Sequence, residues 1–359
     1  MDYSHRMEAG LARFLFKAAA RGRNELLAGA QLAARLRSQA QKRERNARKG
    51  LIVPPVMIMS VTRRCNLACA GCYSAALRPE ACAEMEDGRF LEIAREAVDL
   101  GVSSFIIAGG EPFLRPSLLR GLANIPGHAS AVFTNGTLLR PDSMEIFSSG
   151  RISPVLSIEG DAALTGERRG RGIHERAMAT AELLRAMGVP FGFSVTLTSR
   201  NASMVLADAF LGNLARLGTG ALFIIEYVPV QAGTESLAIG PEDRARLLSA
   251  ERFARLPYPV ATLPGDEEAY GGCLAAGRGF IHLNDQGALE PCPFAPFSDS
   301  SAASGSLAQA LASPLMARIR ERHAELTETS GGCALWNKRG WVASLASCGA
   351  RRAGSTAAA

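Results

Sequence analysis

The stretch "PPVMIMSVTRRCNLACAGCYS" (residues 54–74) runs from an apolar segment straight into three cysteines at positions 65, 69 and 72. Its first half, bounded by two prolines and rich in Val, Ile and Met, reads as a buried β-strand. Its second half is a short loop dense in chemistry. A strand that delivers reactive side chains at its C-terminal end is the usual arrangement of folds built on parallel strands.

The same kind of apolar run recurs outward from this point: "SSFIIAGG" (103–110), "ASAVFTNG" (129–136), "ISPVLSIEG" (152–160), "FGFSVTLT" (191–198) and "ALFIIEYVPV" (221–230). Amphipathic stretches such as "GRFLEIAREAVDLG" (88–101) and "HERAMATAELLRAMG" (174–188) lie between them. Six strand–helix units predict parallel strands joined by right-handed crossovers. Six is fewer than the eight of a closed barrel, so the predicted fold class is α/β, a partial (β/α)6 barrel of the TIM type. The barrel is expected over residues 54–256, after a basic helical arm over 1–53. Beyond 256 the alternation stops. Residues 257–350 hold four of the eight cysteines and read as a small domain organised around metal, and 351–359 as a disordered tail.

Of the 359 residues, 47% are hydrophobic and 21% charged, as in an ordinary soluble globular protein. There is neither an apolar run long enough to span a bilayer nor a signal-peptide pattern, so a reducing cytoplasm is expected. Clustered cysteines there point to metal or redox chemistry rather than disulfides. Residues 1–50 carry 12 Lys/Arg against 4 Asp/Glu, so the basic net charge of +6 belongs to the arm. The arm has three readings: a helix packed on the barrel with solvated arginines, a peripheral contact with the inner face of an anionic membrane, or a phosphate-binding surface for nucleic acid. Nucleic acid is the weakest of these.

A closed zinc shell needs four N/S ligands, often as two close pairs. The spacing C-x₃-C-x₂-C offers three, with only Cys82 nearby, and suits an iron–sulfur cluster with one open iron. A structural zinc loop on an interaction scaffold, without catalysis, is the other reading of the same residues. Cys82 itself reads as a buried small hydrophobe.

The loop, with Tyr73 after it, resembles that of the radical S-adenosylmethionine enzymes. In that family the open iron of a [4Fe–4S] cluster binds S-adenosylmethionine, whose reductive cleavage gives a 5′-deoxyadenosyl radical that abstracts hydrogen from an unactivated C–H bond. The outcome is coupling, oxidation or epimerisation. "AGGEPFL" (108–114) resembles the family's GGEP motif, which implies that Gly109, Gly110 and Glu111 meet the methionine amino group. Paired glycines also let backbone come close to a ligand, and a carboxylate accepts from an ammonium. "FTNGTLL" (133–139) is similar to the family's TNG segment and puts Asn135 toward cofactor or substrate. "SIEGDAALTGERRGRGIHERA" (157–177) resembles its fourth strand, which implies Ser157 and Glu159 near the ribose or methionine and either Arg168 or Arg169 at the carboxylate. "EYVPVQ" (226–231) corresponds to the edge that packs on adenine, at Val228. Glu226 there is either a substrate contact or half of an ion pair.

"CLAAGRGFIHLNDQGALEPCPF" (273–294) resembles the start of the SPASM or twitch extensions that hold auxiliary clusters, with "FIHLNDQGALEPCPF" as a β-hairpin. The C-x₂-C-x₅-C run of a full SPASM extension is missing. The resemblance therefore implies one auxiliary [4Fe–4S] cluster on Cys273, Cys292, Cys333 and Cys348, or on the first three with an open iron. A structural zinc site is the alternative for this set. The family further implies a flavodoxin- or ferredoxin-type electron donor. Relatives with such extensions often modify ribosomal peptides, usually through a winged-helix domain before the barrel. The basic arm does not read as one, so a lipid or other hydrophobic substrate is expected ahead of a peptide.

Overall fold

A computed structural model describes residues 25–77, 83–264, 271–326, 333–347 and 351–352. The six apolar runs form parallel strands: β1 (Val56–Thr62), β2 (Ser104–Gly109), β3 (Ser130–Thr134), β4 (Ile152–Ile158), β5 (Gly192–Leu197) and β6 (Leu222–Glu226). They curl in sequence order, each strand beside the next. The helices between them cover the outer face: α2 (Tyr73–Leu77) and α3 (Asp87–Leu100) after β1, α4 (Pro116–Asn124) after β2, α5 (Ala162–Arg169) and α6 (Ile173–Ala186) after β4, and α7 (Ala202–Val205) and α8 (Asp208–Leu217) after β5. Of the arm, residues 1–24 lie outside the described residues, and the remainder holds α1 (Glu25–Ala47).

Helical periodicity sets which face is buried. In α3 the buried residues Phe90, Ile93, Ala94, Ala97 and Val98 repeat at three- and four-residue steps and pack into the main core against the sheet. Along β4, Leu156 and Ile158 belong to that core, whereas Val155 joins Phe223 in a small separate cluster with Phe133 on the sheet's other face. The Phe133 and Phe223 rings meet edge-on at 5.0 Å.

The sheet runs past residue 256. Helices α9 (Pro241–Leu247) and α10 (Ala250–Ala254) lead to β7 (Val260–Leu263), which pairs parallel with β6. Prolines 257, 259 and 264 crowd this strand and hide it in the sequence; at a sheet edge they cost it nothing in pairing. At the opposite edge β8 (Phe280–Leu283) pairs parallel with β1 and antiparallel with β9 (Leu289–Glu290). The expected hairpin is there, but its first strand continues the barrel sheet, which makes nine strands in all. After β9 come β10 (Phe297–Ser298) and α11 (Leu307–Leu311), α12 (Pro314–Glu321), α13 (Ala334–Asn337) and α14 (Arg339–Ser347). The tail expected to be disordered begins with β11 (Arg351–Arg352), paired with β10; residues 353–359 lie outside the described residues, as does Cys82.

Helix α1 lies across the N-terminal ends of β2 and β3. Lys42 Nζ donates to Val98 O at 3.0 Å and Asn46 Nδ2 to Leu100 O at 2.8 Å. Arg43 donates to Gly101 O and, at 2.8 Å, to Ser103 Oγ. Arg35 reaches His128 O at 2.8 Å, and Gln39 reaches Gly127 O at 3.0 Å. The last turn of α3 has no basic residue of its own, and α1 supplies the donors and positive charge its carbonyl end favours. This is the packed-helix reading of the arm for residues 35–46. No described helix is long and apolar enough to cross a membrane.

Candidate active site

β1 ends in an irregularity: its register against β2 slips between Ser60 and Thr62, which turns the chain out of the sheet and into the cysteine loop. The glycines of the GGEP segment are what let β2 lie against this departure. A Cβ on Gly109 would sit 2.3 Å from Thr62 O, and one on Gly110 2.0 Å from Arg64 O. Two backbone bonds seal the contact, Gly110 N to Thr62 O at 2.6 Å and Glu111 N to Arg64 O at 2.9 Å. The close approach predicted for these glycines is thus made to the chain's own loop.

Glu111 is buried, and burial pushes its carboxyl up while bonds from Phe113 N, Asn135 N and Thr134 Oγ1 pull it back. Those bonds, at 3.0, 2.9 and 2.8 Å, tie the end of β2 to the end of β3. Asn135 extends the tie, donating from Nδ2 to Asn66 Oδ1 at 2.9 Å while Asn66 donates to Thr137 Oγ1 at 2.8 Å. Asn66 follows Cys65, so the TNG turn braces the cysteine loop directly.

At the end of β4, Ser157 Oγ shares a hydrogen bond of 2.9 Å with Ser194 Oγ. Glu159, also buried, accepts from both candidate arginines: Arg168 Nη1 at 2.5 Å and Arg169 Nε at 2.7 Å. Arg169 adds Nη2 at 2.7 Å, whereas the buried Nε of Arg168 has no hydrogen-bond partner. Ala70 N donates to Arg168 O at 2.8 Å, which fixes the end of α5 against the cysteine loop. Val228 lies buried just beyond β6. Glu226 is bound by Arg244 Nη1 through both oxygens, at 2.9 and 2.8 Å, so of its two readings the ion pair holds.

Cys65 is exposed, and Cys69 and Cys72 are half-buried. Burial pushes the Cys65 and Cys69 thiols up. At Cys69 the nearby Arg169 and Arg168 guanidiniums oppose that rise, while Cys65 stands within electrostatic reach of Glu111, Cys69 and Cys72. Among the described residues no three His, Cys, Asp or Glu side chains are gathered as a shell for a single metal ion.

Three contacts tie the loop to the second cysteine region. The Tyr73 ring packs on Phe294 at 4.9 Å. Arg63 Nε donates to the buried Asp285 at 2.7 Å, in the hairpin turn. Ser60 Oγ lies 2.8 Å from His282 Nε2, whose Nδ1 lies 2.7 Å from Glu290 Oε2. Cys273, Cys292 and Cys333 are all buried in the main core. The bond from Ala276 N to Pro291 O, 3.1 Å, brings the first two onto neighbouring turns. Cys333 caps α13, its Sγ accepting from Trp336 N at 3.5 Å. Cys348 lies outside the described residues.

Asn66, Thr134, Thr137, Tyr227 and Arg244 were not singled out from the sequence. Thr134 opens the TNG motif and Thr137 directly follows it, a signal within reach. Tyr227 is different: its ring fills the space beside Gly71, where a Cβ would stand 2.7 Å from the phenol oxygen. Only the fold brings these two together.

Comparison with known proteins places this geometry among relatives. The model of the Radical SAM superfamily matches residues 59–210. An AdoMet-dependent heme synthase of Methanosarcina barkeri is 27% identical over 274 residues, covering 68% of this chain and 78% of its own. A PqqA peptide cyclase of Gluconobacter oxydans is 26% identical over 254 residues, covering 67% and 70%. Among solved structures, Streptococcus suis SuiB bound to precursor peptide SuiA superposes with a TM-score of 0.63 at 20% identity, covering 83% of this chain and 71% of that one. At that identity the likeness is one of fold.

Proposed function

We propose that this chain acts as an enzyme of the radical SAM superfamily, whose model it matches over residues 59–210 and whose members use S-adenosylmethionine and a [4Fe–4S] cluster, that Cys65, Cys69 and Cys72 hold the cluster, and that the reaction opens an unactivated C–H bond of a peptide. The observation that carries this assignment is the setting of the three thiols. They share one loop at the C-terminal mouth of the barrel, within electrostatic reach of one another, with two arginines beside Cys69. When bound, the two cofactors supply one-electron cleavage of a C–S bond and a hydrogen-abstracting 5′-deoxyadenosyl radical, and the protein orients and shields.

The residues present fit that pair. Arg168 keeps a buried Nε–H without a protein acceptor, and such a group is costly to leave unmade. It is therefore the arginine we assign to the methionine carboxylate, while Arg169 holds Glu159 in place. The Glu111 carboxylate already accepts three bonds, so the amino group is assigned to backbone oxygen of the Gly109–Glu111 segment. Ser157 faces the ribose, Asn135 holds the loop through Asn66, and Val228 gives an apolar edge to adenine. Tyr73 acts as a brace on Phe294. Cys273, Cys292 and Cys333 are assigned to an auxiliary cluster, and a flavodoxin- or ferredoxin-type protein to electron supply.

For the substrate, the PqqA peptide cyclase supports a peptide, as does SuiB with its bound precursor. A lipid has less support, because the arm's Arg35, Lys42 and Arg43 are engaged with barrel carbonyls. The test is 5′-deoxyadenosine release by the anaerobically reconstituted protein under reductant. We expect release by the parent and none by a triple variant carrying Cys65→Ala, Cys69→Ala and Cys72→Ala. Peptide libraries and an iron porphyrin are then compared for stimulation. Stimulation by the porphyrin alone overturns the peptide assignment, and a parent that binds no iron overturns the cluster.

A further inference from the structure

Tyr227 directly follows β6, where its amide donates to Leu197 O at 2.9 Å. The side chain is 3% exposed, and its hydroxyl is buried with no hydrogen-bond partner. The ring lies against Gly71: a Cβ built there would meet the phenol oxygen at 2.7 Å, Cε2 at 3.0 Å and Cζ at 3.1 Å. Gly71 also holds a φ of +67°, which side chains rarely adopt. Tyrosine and glycine are therefore a matched pair, the phenol occupying the volume a side chain at 71 would take.

Gly71 stands between Cys69 and Cys72, so the hydroxyl points at the part of the loop that carries two of the three thiols. Buried tyrosine hydroxyls usually find an acceptor. The acceptors this loop gathers are sulfurs. Hydrogen bonds to cluster sulfurs are one of the means by which a protein sets a cluster's potential.

We infer that the Tyr227 hydroxyl donates a hydrogen bond to a sulfur of the cluster on the Cys69–Cys72 side and favours its reduced, more negative state. This inference rests on the cluster assignment under Proposed function. It makes Tyr227 a positioning and tuning residue that the loop motif does not contain.

The test is Tyr227→Phe in the full chain, loaded anaerobically, with iron counted and the cluster titrated potentiometrically by EPR. The expected result is full iron content and a three- to tenfold fall in the reduction equilibrium constant, about 30–60 mV more negative at 59 mV per tenfold. The shift should be present with and without S-adenosylmethionine, and cofactor affinity should stay within about twofold. Gly71→Ala, which pushes the hydroxyl aside without removing it, should move the potential in the same direction and provides the reading if Tyr227→Phe loses iron. An unchanged potential in a loaded variant overturns the inference. So does weakened cofactor affinity at unchanged potential, which would move the acceptor onto S-adenosylmethionine. A parent without iron removes the cluster assignment and this inference together, whereas an unshifted loaded variant removes this inference alone.

Discussion

Glu159 is held by two adjacent arginines that differ in what remains unbonded. Arg169 gives two nitrogens to the same carboxylate oxygen, while Arg168 gives one and keeps a buried Nε–H free of partners. Arg169→Met should therefore act mainly on stability, by about 3 kcal/mol, because it breaks a buried charge pair. Arg168→Met should act mainly on binding, weakening S-adenosylmethionine affinity about tenfold, as loss of one charge-assisted bond to a ligand does. Chemical denaturation and calorimetric titration of both variants check this; equal effects of the two substitutions on affinity would remove the distinction. His128 is a second residue whose state follows from where it sits. It is fully buried at the start of β3, and burial pulls its pKa from 6.5 down to about 4, with Arg35 and Arg151 adding to the fall. The unfolded chain thus binds a proton between pH 6.5 and 4 that the folded chain refuses. Stability from this group is present above pH 6.5 and is lost as pH falls toward 4, by about 3 kcal/mol in total. Urea denaturation at pH 7, 5.5 and 4 should show that slope in the parent and a shallower one in His128→Gln.

At the scale of elements, glycine separates contact from mere flexibility. Gly110→Ala would drive a methyl to within 2.0 Å of a backbone carbonyl, at the junction of β2 with the cysteine loop. A cost of more than about 4 kcal/mol is expected, since backbone cannot move aside as a side chain tip can. Gly212 lies inside α8 with nothing within 4 Å of its Cβ position, so Gly212→Ala should stabilise by about 0.5–1 kcal/mol. Thermal melts of the two variants should move in opposite directions. The same contrast explains how much was legible beforehand. The six apolar runs became β1–β6, and the α3 stripe packed as its spacing dictates, because periodicity is a local signal. The cysteine loop, the GGEP and TNG segments and the hairpin were equally visible. What the sequence hid depends on pairing between distant segments: β8 beside β1, β7 among its prolines, Tyr227 beside Gly71, and the arm's cations on the carbonyl end of α3. The difference between Arg168 and Arg169 in which nitrogens are left without partners was hidden for the same reason.

Across the whole molecule, the region with the second cysteine set is built into the barrel. β8 extends the barrel sheet along β1, with Val56 opposite Phe280 and Met59 opposite Leu283. Asp285 accepts from Arg63, two residues before Cys65, and its carbonyl accepts from Met85 N at 2.7 Å. The buried row Ser60–His282–Glu290 crosses the same seam. Removing the hairpin would expose the β1 edge, leave Arg63 without its carboxylate, Ser60 without its imidazole and the Met85 amide without its carbonyl, each a cost of about 1–3 kcal/mol. Such losses are comparable with the whole stability of a typical domain. The full chain is therefore expected to unfold in one calorimetric transition, and a chain ending at residue 264 to fail to give soluble, iron-loaded protein. Two separated transitions, or a truncated barrel that loads its catalytic cluster, would show that the seam between β1 and β8 is dispensable. A single transition would mean that the hairpin and the barrel unfold as one unit through the sheet they share.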